Sequence, residues 1–191
     1  MSLDKKEHNS SKWDFDDQLI RGCRMNDRKA QLELYKKYYK AMYNTAYRIV
    51  RKQAEAEDAM QEAFLDAFRK IDTFRGDSTF GAWLKKIVVN KAINYARLQN
   101  KLDFIDVDDQ EIPEPVQEDP VETLSFKIEM IRSAIENMPD RYRVILSLYL
   151  LEGYDHEEIS GILDISYNAT RTKYSRARQK LLLSLRNMKN V

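Results

Sequence analysis

The chain has 191 residues, with 32 Lys and Arg against 31 Asp and Glu for a formal net charge of +1. Hydrophobic residues at 43% permit a folded core, while five Gly and four Pro are too few for a turn-rich β fold, so helices are expected. One cysteine, Cys23, excludes an intramolecular disulfide and fits a reducing compartment; the polar first residues carry no apolar signal core, and no apolar run is long enough for a membrane span, so a soluble, cytoplasmic protein is expected.

The near-neutral total conceals a segregated charge pattern. The first module spans roughly residues 14–100. In it Met60, Phe64, Phe68 and Ile71, with Ala63 and Ala67, recur at helical steps and predict one buried face. Asp58, Glu62 and Asp66 lie roughly 200° around the helix from that face and are expected to point outward. The glycine-containing stretch FRGDSTFGAWL breaks the pattern, and Ser78 or Thr79 suits the N-cap of a further helix running to about Asn100. From Ser78 to Leu102 there is no carboxylate. Trp83, Lys86, Asn90, Asn94, Arg97 and Lys101 share one face there. Such a set can stack on exposed bases, bond their edges and neutralise phosphates, which suits strand-separated nucleic acid. The competing reading is a core tryptophan beneath a solvated helix side.

Residues 101–125 hold most of an acidic run containing Pro113, Pro115 and Pro120, which reads as an extended, flexible linker. The second module, roughly 126–188, contains a helix expected to hold Pro139 in its first turn and to end at Gly153. Asp155 and Glu158 form a capping box for a short helix burying Ile159, Ile162 and Leu163; the turn Asp164–Ser166 follows, then a longer basic helix. This is a helix-turn-helix pattern. On the last helix Thr170, Tyr174, Ala177, Leu181 and Leu185 form the inward stripe, leaving Asn168, Arg171, Thr172, Ser175, Arg176 and Gln179 outside. Arg matches guanine acceptors, Asn and Gln match adenine, and a Thr methyl meets thymine; Lys173 and Arg178 flank the set as phosphate contacts. A merely solvated helix face is the plainer alternative, but such faces usually carry Glu–Lys pairs, and no acid follows Asp164.

Other chemistry finds little support. The row Asp58, Glu62, Asp66 lacks converging histidines, since His8 lies in a polar tail and His156 inside the capping box, so no metal is expected. Gly76 and Gly81 are not followed by the Lys-Ser/Thr of a phosphate loop, and Cys23 reads as a small packed hydrophobe. No nucleophile–base pairing is evident, so neither catalysis nor a cofactor is expected.

The motifs D-x-x-Q-E-x-F (from Asp58), F-R-G-D-S-x-F-x-x-W-L (from Phe74) and E-E-I-x-x-I-L…R-A-R (from Glu157), in this order and across an acidic linker, resemble bacterial RNA polymerase sigma factors of the sigma-70 family, in the compact extracytoplasmic-function (ECF) type. The resemblance implies an all-α fold of two small helical domains, regions 2 and 4. It implies binding to core RNA polymerase at its clamp helices and flap, to promoter DNA, and to an anti-sigma protein. Core polymerase would meet Asp58, Gln61, Glu62 and Leu65. The −10 element would meet Phe74, Arg75, Gly76, Asp77, Ser78, Phe80, Trp83, Lys86, Asn90, Asn94 and Arg97, with one base drawn out of the stack. The −35 element would meet Asn168, Arg171, Thr172, Lys173, Ser175, Arg176 and Gln179. The linker would thread the polymerase's nucleic-acid channel. In two places the chain departs from the family: Ser166, Tyr167 and Asn168 stand where Pro or Gly is usual, and Thr170 where an apolar residue is usual. The competing functions are a stand-alone helix-turn-helix regulator and a helical adaptor without a DNA role.

Overall fold

The computed structural model describes residues 16–98 and 128–189. The expected linker at 101–125, together with His8 and Lys101, lies outside the described residues. Among the described residues there are helices and no strands, and no helix is long and apolar enough to cross a membrane. The chain falls into two compact units, Met1–Ala92 and Ile93–Val191.

The first unit holds α1 (16–24), α2 (Arg28–Val50), α3 (Gln53–Arg69), a 3₁₀ turn (Ile71–Thr73) and the start of α4 (Phe80–Leu98). The Asp27 carboxylate caps α2 by accepting the Lys29 N–H at 2.8 Å. Arg51 ends α2 in the left-handed region at φ 61°, its N–H donating to the Tyr47 carbonyl. The tight corner returns the chain so that α3 packs against α2. As the periodicity predicts, Met60, Ala63, Phe64, Ala67 and Ile71 are buried, while Phe68 is half-buried. Ala56, Ala59, Ala63 and Ala67 are completely buried, so much of the inward face of α3 is only a methyl group deep. Cys23 is buried, and burial, with Asp27 adding to it, pushes its thiol up to about 11; it stays protonated, as a small hydrophobe.

The second unit contains α5 (Ile128–Glu136), α6 (Asp140–Leu146) running into a π turn (Ser147–Leu151), α7 (His156–Leu163) and α8 (Tyr167–Lys189). Pro139 sits at the N-cap, one position before the expected first turn, and its carbonyl accepts the N–H groups of Tyr142 and Arg143. Having no N–H to satisfy, proline suits either position. Val144 to Leu148 are all buried, so the junction of α6 and the π turn is enclosed all round, and Gly153 follows at φ 79°. The capping box forms with both bonds in place: Glu158 N–H to Asp155 at 2.8 Å, and Asp155 N–H to Glu158 at 3.2 Å. Asp164, left-handed at φ 52°, turns the chain, and the Ser166 hydroxyl accepts from the Ala169 N–H to start α8. That helix packs against α5, α6 and α7.

Ala63→Leu is expected to lower unfolding free energy by about 1–3 kcal/mol, since the added carbons have no space beneath α3. Urea denaturation followed by circular dichroism measures it, and an unchanged midpoint counts against the tight alanine face.

Candidate nucleic-acid interface

The segment from Phe74 to Thr79 is a loop held at both ends. Phe74 and Phe80 are buried and meet edge-on at 5.8 Å, and Trp83, half-buried, leans on both at 5.4 and 5.7 Å. Arg24 donates to the Phe74 carbonyl at 2.8 Å, and the Thr79 hydroxyl accepts the Ala82 N–H at 3.0 Å as the cap of α4. Between these anchors Arg75, Gly76, Asp77 and Ser78 are exposed, and Gly76 adopts φ 82°, where a side chain would be strained. Phe74 and Phe80, expected at the −10 element, are buried here and packed on each other and on Trp83, so they anchor the two ends of the loop. Along α4, Lys86, Asn90, Asn94 and Arg97 are exposed on one face with Trp83 at its start, as the sequence predicts.

On α3, Asp58 and Gln61 are exposed and Leu65 is 56% exposed, an apolar side chain standing in solvent beside a carboxylate and an amide. The acidic row does not point outward as a unit. Lys91, reaching across from α4, lies 3.2 Å from Glu62 and 3.0 Å from Asp66. The hydrogen bond from Lys91 is the main reason the Asp66 carboxyl is held below its ordinary value; the same bonds raise the Lys91 ammonium. Sequence spacing gave no sign of this bridge, because its ends lie 29 positions apart.

The helix-turn-helix forms from α7, the turn at Asp164–Ser166 and α8. Thr170, Ala177, Leu181 and Leu185 are buried and Tyr174 is half-buried, which is the predicted stripe. The Thr170 hydroxyl donates to the Ser166 carbonyl at 3.1 Å, so a polar residue sits in this apolar position without an unmet hydrogen bond. Asn168, Arg171 and Thr172 are exposed near the start of α8; Lys173, Ser175, Arg176 and Gln179 are half-buried. Sequence reading missed an aromatic cluster behind this surface. Tyr149, carried by the π turn, stacks on His156 at 4.8 Å and meets Tyr174 at a tilt at 4.3 Å, and His156 also meets Tyr174 at 5.0 Å and Tyr167 at 6.4 Å. The rings tie the π turn, α7 and α8 together.

Burial, and secondly Arg171, push the His156 imidazole below its ordinary value, against an opposing pull from Asp155. The folded protein thus disfavours the proton that the unfolded chain accepts near pH ~6.5, so stability is full above that value and falls as the pH drops through it. The melting temperature is expected to decline between about pH 7.5 and about pH 6, and His156→Phe to flatten that decline. Equal slopes in the two proteins contradict the argument.

The class these elements define is an all-α protein with a helix-turn-helix in one unit and, in the helices before it, a cationic, amide-bearing face. Residues 34–102 match the model of Sigma-70 region 2, and residues 128–181 match Sigma-70, region 4. Over 176 residues the chain is 31% identical to the ECF RNA polymerase sigma-E factor of Escherichia coli, covering 87% of this chain and 92% of that protein. It is 30% identical to the protein of the same name from Haemophilus influenzae, covering 87% and 93%. Two solved structures share the fold. CnrH in complex with the cytosolic domain of CnrY has a TM-score of 0.52 at 21% identity, over 90% of this chain and 97% of that one. The sigma factor RpoE in complex with the anti-sigma factor NepR from Bartonella quintana has a TM-score of 0.51 at 23% identity, over 81% and 95%. The chain belongs to the sigma-70 family of RNA polymerase sigma factors, in its ECF group.

Proposed function

We propose that this sigma factor docks on core polymerase through the outer side of α3, captures a separated −10 strand with α4 and its preceding loop, and reads a duplex −35 element with α8. The docking set is Asp58, Gln61, Leu65 and the half-exposed Glu62, with the flap of the polymerase meeting the second module. Exposed Arg75, Asp77 and Ser78, the loop backbone at Gly76, and Trp83, Lys86, Asn90, Asn94 and Arg97 form the −10 surface. The modules run over residues 14–100 and 126–188, and the acidic tether at 101–125 enters the nucleic-acid channel of the polymerase, where its charge imitates RNA. The factor works in the cytoplasm by binding alone, and an anti-sigma protein silences it; the anti-sigma partner of the fold relative RpoE supports this last reading.

The observation that carries the proposal is the exposure of Asn168, Arg171 and Thr172 at the N-terminal end of α8. Recognition helices contact base edges with their N-terminal residues, and these three side chains suit adenine, guanine and thymine. In the major groove, Lys173, Ser175, Arg176 and Gln179 extend the contact along the helix toward phosphates.

Pull-down with core polymerase and run-off transcription test the function. Arg171→Ala is expected to weaken promoter use by about 1–3 kcal/mol, roughly 5- to 150-fold, without altering core binding. Without core polymerase, gel shifts are expected to show weak or no promoter binding. Failure of the wild-type chain to bind core polymerase overturns the proposal.

A further inference from the structure

Lys91 belongs to neither surface, yet it joins the two helices that carry them. Its ammonium lies between Glu62 and Asp66, at 3.2 and 3.0 Å. Those carboxylates stand one turn apart on α3, so one cation between them opposes both sliding and rotation of α4. Lys91 follows Asn90 and precedes Asn94, which places it at the margin of the nucleic-acid face, about 100° from the one and 60° from the other. Glu62, its partner, directly follows Gln61 of the docking face. The three side chains are 28%, 47% and 25% exposed, so the bridge lies along a partly covered seam rather than in open solvent.

We propose that Lys91 is a positioning residue for promoter opening: by bridging Glu62 and Asp66 it fixes the rotational setting of α4 on α3, so that docking α3 on polymerase aims the −10 surface at the separated strand. This rests on the roles proposed above for α3 and α4. Lys91 touches neither polymerase nor DNA; it acts through the two carboxylates, and the directions of the Asp66 and Lys91 shifts keep both ends charged at neutral pH.

Reconstituted holoenzyme carrying Lys91→Met or Lys91→Arg tests this, with core affinity, permanganate detection of open promoter, and the salt dependence of promoter binding as readouts. The methionine variant is expected to bind core as tightly as wild type, because the exposed docking residues Asp58, Gln61 and Leu65 are untouched. It is expected to open duplex promoter about fivefold less, while a pre-melted promoter and Lys91→Arg both restore opening. The salt dependence is expected to stay as in wild type. Normal opening by the methionine variant overturns the proposal. So does a parallel fall in core affinity, opening and melting temperature, which marks a structural tie only. A salt slope reduced by about one phosphate contact also overturns it, by making Lys91 a direct DNA ligand. Failure of the wild-type chain to bind core is a separate result that removes the underlying assignment of α3.

Discussion

Burial of Thr170, Ala177, Leu181 and Leu185 against α5, α6 and α7 decides which side of α8 faces water. Once that stripe is inside, helical geometry leaves Asn168, Arg171 and Thr172 outside. No carboxylate follows Asp164 in the chain, so the helix carries no i,i+4 acid–base pair of its own. A solvated helix gains little from such a composition, whereas a helix entering the major groove needs it. The Tyr149–His156–Tyr174 cluster holds the setting from behind, joining the π turn, the start of α7 and the middle of α8.

A different solution serves the first unit. There the proposed nucleic-acid surface combines a helix face with a short loop, and the loop is fixed only at its ends. Phe74 and Phe80 pack edge-on, Trp83 covers both, and Arg24 holds the Phe74 carbonyl. The exposed residues between them are thereby presented at a defined place without being packed themselves. Holding the loop in advance lowers the ordering cost of gripping a base drawn from the stack, a step that itself costs a few kcal/mol.

Local patterns were legible in the sequence; contacts between distant segments were not. The capping box of Asp155 and Glu158 and the Thr79 cap depend on residues three positions apart, and both formed as read. The inward stripe of α8 follows from period alone. The burial of Phe74 and Phe80 was not legible, because an aromatic residue beside an exposed loop can equally face a base or the core. Glu62 and Asp66 read as an outward acidic row because Lys91 is far away in the chain. His156 passed for a capping-box bystander, since its ring partners Tyr149, Tyr167 and Tyr174 come from two other elements. The family motifs pointed to the function without any of these contacts, because they combine exposed residues such as Asp58, Gln61 and Arg75 with packed ones such as Phe64, Phe80 and Leu163 in one linear pattern.

Two acid-free helices meeting the same promoter in different states is the central claim. Photo-crosslinkers placed at Asn168 and at Trp83, in holoenzyme bound to promoter DNA, test it most directly. The account predicts that position 168 marks paired −35 DNA in closed and open complexes alike. Position 83 marks one strand of the −10 element, and only after melting. Crosslinks from both positions to paired DNA only, or from position 168 to separated strand, contradict it.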